Sequence, residues 1–188
     1  MCLHAASRPG SLLSKRVLVL GAGPIGTILA LIARSAGAGF VAVGDVLDEP
    51  LRLLADLGVD ETINVATEAD RLARHAEGKG TFDIVFEASG SAGATISALD
   101  VVKPRGTIVC VGQGARPEIN MSTIVTKEVN VIGSFRFDDE FRLAVDYIAL
   151  NRAQIRALLT ATVLASEPTP AFDLAADKTR SIKVHLQF

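Results

Sequence analysis

The sequence predicts an α/β fold, a doubly wound six-stranded parallel sheet, on three observations. Short apolar runs bounded by glycine alternate with longer stretches of helical periodicity along most of the 188 residues. The first run ends in three glycines spaced G-x-G-x-x-G, "GAGPIG" at 21–26. An aspartate, Asp45, stands near the end of the second run, nineteen residues beyond Gly26. Composition permits such a domain: 49% hydrophobic and 21% charged residues fill an ordinary core. A net charge of −2 gives no electrostatic case for nucleic acid or an anionic membrane surface.

The elements follow in order. The start, "MCLHAASRPGSLL" (1–13), has no apolar core behind a basic head and is not a secretory signal. "RVLVLG" (16–21) reads as a buried strand and residues 24–37 as the helix after it. The uncharged stretch 17–33 approaches the length of a membrane span, but Gly21, Gly23, Pro24 and Gly26 divide it. "FVAVGDV" (40–46) is the second strand. Residues 48–58 form a helix with Asp48 as N-cap, Pro50 in its first turn and Gly58 at its end. "ETINV" (61–65) is the third strand. Residues 68–77 form a polar helix with Leu72 and Ala76 on one face and His75 in solvent. Three more strands lie at 81–89, 106–112 and 129–135, and a helix over 92–103 is stopped by Pro104. A last helix, 138–151, carries an apolar stripe of Phe141, Ala144, Val145, Ile148 and Ala149 that also accounts for Tyr147. Strands alternating with helices indicate a parallel sheet covered on both faces.

The glycine spacing has a chemical reason. Gly21 permits a tight turn out of the strand, Gly23 lets the main chain approach a pyrophosphate, and Gly26 lets the helix pack against the sheet with its amides facing the phosphates. Asp45 then falls where a carboxylate accepts hydrogen bonds from the adenosine ribose, which completes a Rossmann dinucleotide signature. S-adenosylmethionine enzymes share the acidic strand end, but their loop rarely carries the third glycine. A 2′-phosphate would meet Asp45 head-on, and "VLDEP" (46–50) offers no Arg or Lys, so NAD is expected over NADP.

No catalytic residue emerges beside this corner. Tyr147, the single tyrosine, has Asn151 rather than a lysine four residues on, which closes the tyrosine–lysine route to proton transfer. His4, His75 and His185 stand far apart, and neither Cys2 nor Cys110 lies at ligand spacing to them, so no metal site is expected. Two isolated cysteines suit a reducing cytoplasm. Glu87 and Ser89 in "FEASGS" sit at a strand's carboxyl end, with Ser89 a loop or capping residue for want of a base.

Beyond these readings, the chain resembles the medium-chain zinc-dependent alcohol and polyol dehydrogenases, in their L-idonate 5-dehydrogenase and sorbitol dehydrogenase branch. The likeness rests on "CLHA" (2–5), "KRVLVLGAGPIG" (15–26), "FDIVFEASGS" (82–91), "RGTIVCVGQG" (105–114), "KEVNVIGSFRF" (127–137) and "SIKVHLQF" (181–188). It implies cofactor contacts from Gly23, Pro24, Ile25 and Asp45, places Val111, Gly112 and Gln113 beside the nicotinamide, and puts Ser134, Phe135 and Arg136 near the nicotinamide half and pyrophosphate. A plainer reading makes Arg136 a surface cation beside "DDE" (138–140). Lys183 matches a position where some relatives hold a pyrophosphate-binding cation.

The resemblance also divides the chain into a linking segment (1–13), an NAD-binding Rossmann domain (14–156) and a tail (157–188) that relatives return to their catalytic domain. The zinc ligands, proton relay and most of the substrate pocket would precede Met1. It implies a homodimer or higher homo-oligomer joined edge to edge around 119–133. Two stretches depart from the pattern. Pro50 stands where many relatives carry a base five residues after the ribose aspartate, and Pro168 and Pro170 fall where relatives run a helix. Without the usual partners of Leu164, Phe172, Leu174, Ile182, Val184 and Leu186, the tail is expected to be disordered, to pack unusually on its own sheet, or to be buried by another copy. Together these features point to NAD(H) binding with little or no turnover of an L-idonate-like alcohol. The alternatives are a stand-alone NAD(H)-binding regulatory module or an S-adenosylmethionine-dependent transferase.

Overall fold

In the computed structural model, which describes residues 1–188 apart from 115, 138 and 167, the six expected strands form one parallel sheet. They are β1 (Arg16–Leu20), β2 (Phe40–Asp45), β3 (Glu61–Asn64), β4 (Phe82–Glu87), β5 (Val102–Cys110) and β6 (Asn130–Gly133), in the spatial order β3-β2-β1-β4-β5-β6. Order reverses between β1 and β4, so the crevice beyond their carboxyl ends is the topological switch point of the sheet.

Period-two alternation assigns each strand residue to one of two cores. Val17, Val19, Val41, Val43, Ile84 and Phe86 face one side; Leu18, Leu20, Ala42 and Val85 face the other, which Phe82 joins across the irregular register between Phe82 and Ile84. The first core is closed by α1 (Cys2–Ser7), α2 (Pro24–Ser35) and α3 (Asp48–Asp56), through Ala5, Leu29 and Leu54 among others. The second is closed by α4 (Ala69–Arg74) and α5 (Ala92–Val101), through Leu72, Ala98 and Leu99. Helix α6 (Met121–Lys127) precedes β6 on this second side. Burial on both faces explains why the strands read as unbroken apolar runs.

Several local expectations are corrected. Asp48 is not the N-cap of α3; Leu47 holds that place, and the Asp48 carboxylate accepts a hydrogen bond from the Asn64 side-chain amide at 2.6 Å. Pro104 does not end α5, which stops at Val101. It lies inside β5, where Val102 pairs with Phe82 and Thr107 with Ile84, leaving residues 103–106 as a bulge that needs no ladder donor from proline. The expected helix 68–77 is shorter and passes into a 3₁₀ turn at Glu77–Lys79. His75 is not solvated: its ring lies 4.7 Å from that of Phe82, with Nε2 2.9 Å from Glu61 and Nδ1 3.2 Å from the Thr81 hydroxyl.

Past β6, α7 (Glu140–Leu150) turns inward through Ala144 and Tyr147, whose hydroxyl lies 3.3 Å from that of Ser35. The apolar stripe is therefore largely uncovered, with Phe141, Val145 and Ile148 all exposed. After α8 (Arg152–Ala157) the described residues of the tail are folded, so disorder is not the one of its three expected arrangements that is seen. Strand β7 (Leu159–Leu164), α9 (Pro168–Ala176) and β8 (Lys183–Gln187) form a small βαβ unit with its own two-stranded parallel sheet. Pro168 opens α9 because a helix's first residue needs no amide hydrogen. Leu164, Phe172 and Leu186 stay exposed.

Asp83 ties three strands together at the amino ends of the sheet. Its carboxylate pairs with Lys103 in the β5 bulge and accepts the Arg16 amide at 2.8 Å. Burial would raise the Asp83 carboxyl, but Lys103 and the Arg16 amide outweigh it and hold it below the usual carboxylate range. A depressed folded value means stabilisation present above the unfolded pKa and lost as pH falls through the folded one. Asp83→Asn is expected to flatten the acid limb of an unfolding-versus-pH curve below about pH 4, read by circular dichroism in urea. An unchanged limb would refute the assignment.

Candidate functional site

A cavity of about 1180 Å³ opens at the carboxyl ends of β1 and β2 and continues along the groove between α4 and α5. Its floor is the turn 21–25. Gly21 has φ +103°, and a Cβ on it would lie 2.8 Å from the Ser89 amide nitrogen, so both turn geometry and the neighbouring loop demand glycine. A Cβ on Gly26 would overlap the Gly21 carbonyl oxygen, whereas one on Gly23 would meet nothing within 4 Å. The space over Gly23 is thus open to a ligand, and α2 begins directly beneath it with Pro24 at its first position. The Ile25 and Gly26 amides belong to the unpaired first turn, since the first intrahelical bond runs from the Thr27 amide to the Gly23 carbonyl.

Asp45 leaves β2 pointing back to this corner. Its Oδ2 accepts the Ala22 amide at 2.5 Å and its Oδ1 the Leu47 amide at 2.9 Å. These bonds hold the carboxylate at the cavity wall, with lone pairs to spare for two vicinal hydroxyls. The chain's own geometry therefore fits a dinucleotide: open space over backbone amides for a pyrophosphate and an oriented acceptor for a ribose.

The remaining sequence-assigned residues divide. Gly21, Gly23, Pro24, Ile25 and Asp45 line the cavity, while Gly26 lies behind it as a packing residue. Val111, Gly112, Gln113, Ser134, Phe135 and Arg136 follow β5 and β6 along the same sheet edge but outside this cavity. Gly112 packs so tightly on Gly90 that a Cβ there would strike backbone, which welds the loops after β4 and β5. Buried Glu87 fixes the first of these, its Oε1 accepting the Ser89 amide (2.8 Å), the Ser89 hydroxyl (2.6 Å) and the Gly90 amide (3.0 Å). Ser89 is accordingly a loop residue. Among the described residues, the Ser134 hydroxyl is the one buried side-chain polar atom without a partner. Arg136 adopts φ +55° and lays its guanidinium 5.1 Å from the Phe135 ring centroid. Asp138, one of the acids weighed as its surface partner, lies outside the described residues.

Sequence reasoning did not identify Ser91, Ala94, Lys127 or the tail residues Lys178, Ser181 and Ile182 as cavity lining. The Lys127 ammonium donates to the carbonyls of Leu99, Asp100 and Val102 at 2.6–2.9 Å, closing the end of α5, and burial pushes its pKa down. A cation in the run "TIVTKEV" carries no pattern that announces such a role.

Two of the described residues with a transferable proton are held in their neutral form. The Cys110 thiol is pushed up by burial and by the Glu87 charge, and the Tyr147 phenol by burial, so both stay protonated near neutrality. Among the described residues no three His, Cys, Asp or Glu side chains converge, so the residues present do not fit a zinc ion. No described helix is long and apolar enough to cross a membrane.

Known proteins share this architecture. The family profile described as "Zinc-binding dehydrogenase" matches residues 24–149. The chain is 35% identical to "L-idonate 5-dehydrogenase (NAD(P)(+))" of Escherichia coli (strain K12), over 100% of this chain and 54% of that protein. It is 30% identical to "Sorbitol dehydrogenase 1" of Saccharomyces cerevisiae, over 91% and 50%. The crystal structure of the Escherichia coli L-idonate 5-dehydrogenase superimposes on all of this chain and 54% of its own, with a TM-score of 0.92. A protein from Sinorhizobium meliloti 1021 solved bound to NADP matches at 26% identity and TM-score 0.87, over 98% of this chain and 56% of that one. The chain spans about half the length of the curated relatives it matches.

Proposed function

Because the chain belongs to the zinc-binding dehydrogenase family, we propose that it is the cofactor-holding part of an oxidoreductase that moves a hydride from a secondary alcohol of a polyol or sugar acid to NAD, giving a ketone. The single observation that carries this reading is one cavity that combines open space over Gly23, the unpaired first turn of α2 and an oriented Asp45 carboxylate. Bound there, the nicotinamide supplies the hydride acceptor. The chain's own part is to hold the pyrophosphate on main-chain amides, the adenosine ribose on Asp45, and the nicotinamide half towards Val111–Gln113 and Ser134–Arg136. Proton removal and alcohol binding are assigned to none of the described residues, and the substrate proposed follows the relatives: L-idonate or a related polyol.

The test is a fluorescence titration with NADH and NADPH, run beside a zinc-supplemented assay with L-idonate and sorbitol. Micromolar NADH binding, weaker NADPH binding and no turnover are expected. Absence of NADH binding would sink the reading, tighter NADPH binding would overturn the role given to the Asp45 charge, and robust turnover would mean that a catalyst has been missed. A homodimer through the β6 edge is part of the proposal, since Val131 on that strand is exposed. A second reading, a self-standing NAD(H)-responsive module, draws support from the ordered β7–α9–β8 unit; it predicts a soluble monomer whose melting temperature rises with NADH.

A further inference from the structure

On the dinucleotide reading of the large cavity, the cofactor's phosphates call for a positive charge to meet them. The segment after β2, residues 46–50, contributes Asp48 and Glu49 and no base. Three lysines line the cavity: Lys79, Lys127 and Lys178. Lys127 is spent on three carbonyls. Lys79 lies just before β4, and so by the amino ends of the strands, opposite the glycine corner. Lys178 remains.

It comes from the turn between α9 and β8, more than 150 residues beyond the glycine corner. That turn abuts α3: with Glu49 and Pro50 it bounds a smaller cavity of about 380 Å³, and Lys178, Pro50, Ser181 and Ile182 border both spaces. Pro50 is five residues past Asp45, on the ribose side of the corner. The turn is firmly built. Asp177 Oδ1 accepts both the Thr179 amide (3.0 Å) and hydroxyl (2.6 Å), the Ser181 hydroxyl donates to the Leu174 carbonyl at 2.6 Å, and the Ile182 amide donates to the Thr160 hydroxyl at 2.9 Å. Lys178 is exposed at its tip and enters no ion pair among the described residues.

We propose that Lys178 is the cation that reads a phosphate of the bound dinucleotide on its adenosine side, supplied by the C-terminal βαβ unit where the β2–α3 segment has no base. Two phosphates could meet it, the pyrophosphate of either cofactor or the 2′-phosphate of NADP. A lysine on a pre-built turn reaches either with a charge-assisted bond.

The experiment is calorimetry of the 188-residue chain and its Lys178→Gln and Lys178→Arg variants with NADH and with NADPH. Thermal melts first establish that the variants remain folded, as a change at an exposed turn tip allows. Lys178→Gln is expected to weaken at least one cofactor by about tenfold or more, and Lys178→Arg to restore most of it. An equal loss for NADH and NADPH assigns the pyrophosphate; a loss confined to NADPH assigns the 2′-phosphate. A smaller loss for both cofactors overturns the proposal and leaves the dinucleotide reading standing. Failure of the unmodified chain to bind either overturns both together.

Discussion

Gly26→Ala is expected to abolish NADH binding and to destabilise the chain by about 3 kcal/mol or more. The added methyl would occupy the volume of the Gly21 carbonyl oxygen, which is backbone and cannot rotate away as a flexible side chain would. Relief requires α2 to move off the sheet, and α2 carries the fully buried Leu29 and Ala30. It would also carry off the first-turn amides that face the ligand. Urea unfolding followed by circular dichroism, with NADH titration of the folded fraction, reads both effects. Gly23→Ala is the control: its methyl meets no protein atom within 4 Å, so it should cost affinity and little stability. If both variants bound alike, steric packing at Gly26 would not be what shapes the corner.

The second large effect is at Lys127. Lys127→Met keeps the stem's length and removes an ammonium that donates to three carbonyls at the junction of α5 and β5. Each bond from a charged donor is worth about 1.5–3 kcal/mol, but the methionine avoids the cost of burying the charge and partly offsets the loss. A net loss of about 3 kcal/mol is expected as a lower urea midpoint at unchanged slope. Sign follows from the lowered pKa. The folded state holds this proton less tightly than the unfolded chain, so the charged form is under strain and stability rises with pH between the folded value and about 10.4. The methionine variant should lack that rise. A wild-type curve that is flat there would show that the carbonyls fully compensate burial.

Much of this architecture was legible because burial on two faces writes itself into sequence as glycine-bounded apolar runs. β1, β2, β4 and β5 are such runs, and the helices between them have period 3.6. The corner at 21–26 was legible for a different reason: steric need for missing side chains leaves glycines at fixed spacing. What stayed hidden depended on contacts between distant segments. His75 looked solvated because its neighbours Phe82, Glu61 and Thr81 come from other elements. Pro104 looked like a helix stop because a bulge in a strand has no local signature. The stripe on α7 was real as a pattern, yet the helix turns Ala144 and Tyr147 inward and leaves Phe141, Val145 and Ile148 uncovered. Lys178 was invisible because its importance lies in which helix its turn abuts.

The large cavity has one wall near the beginning of the chain and another near its end. During synthesis the sheet from β1 to β6 can assemble while the last fifty-odd residues are still emerging. The floor of the binding place is therefore old by the time its far side arrives. A ligand met early would sit in an open trough and leave as readily as it came. Retention is then completed late, when the closure of a very long loop adds a second wall to the corner that the glycines begin.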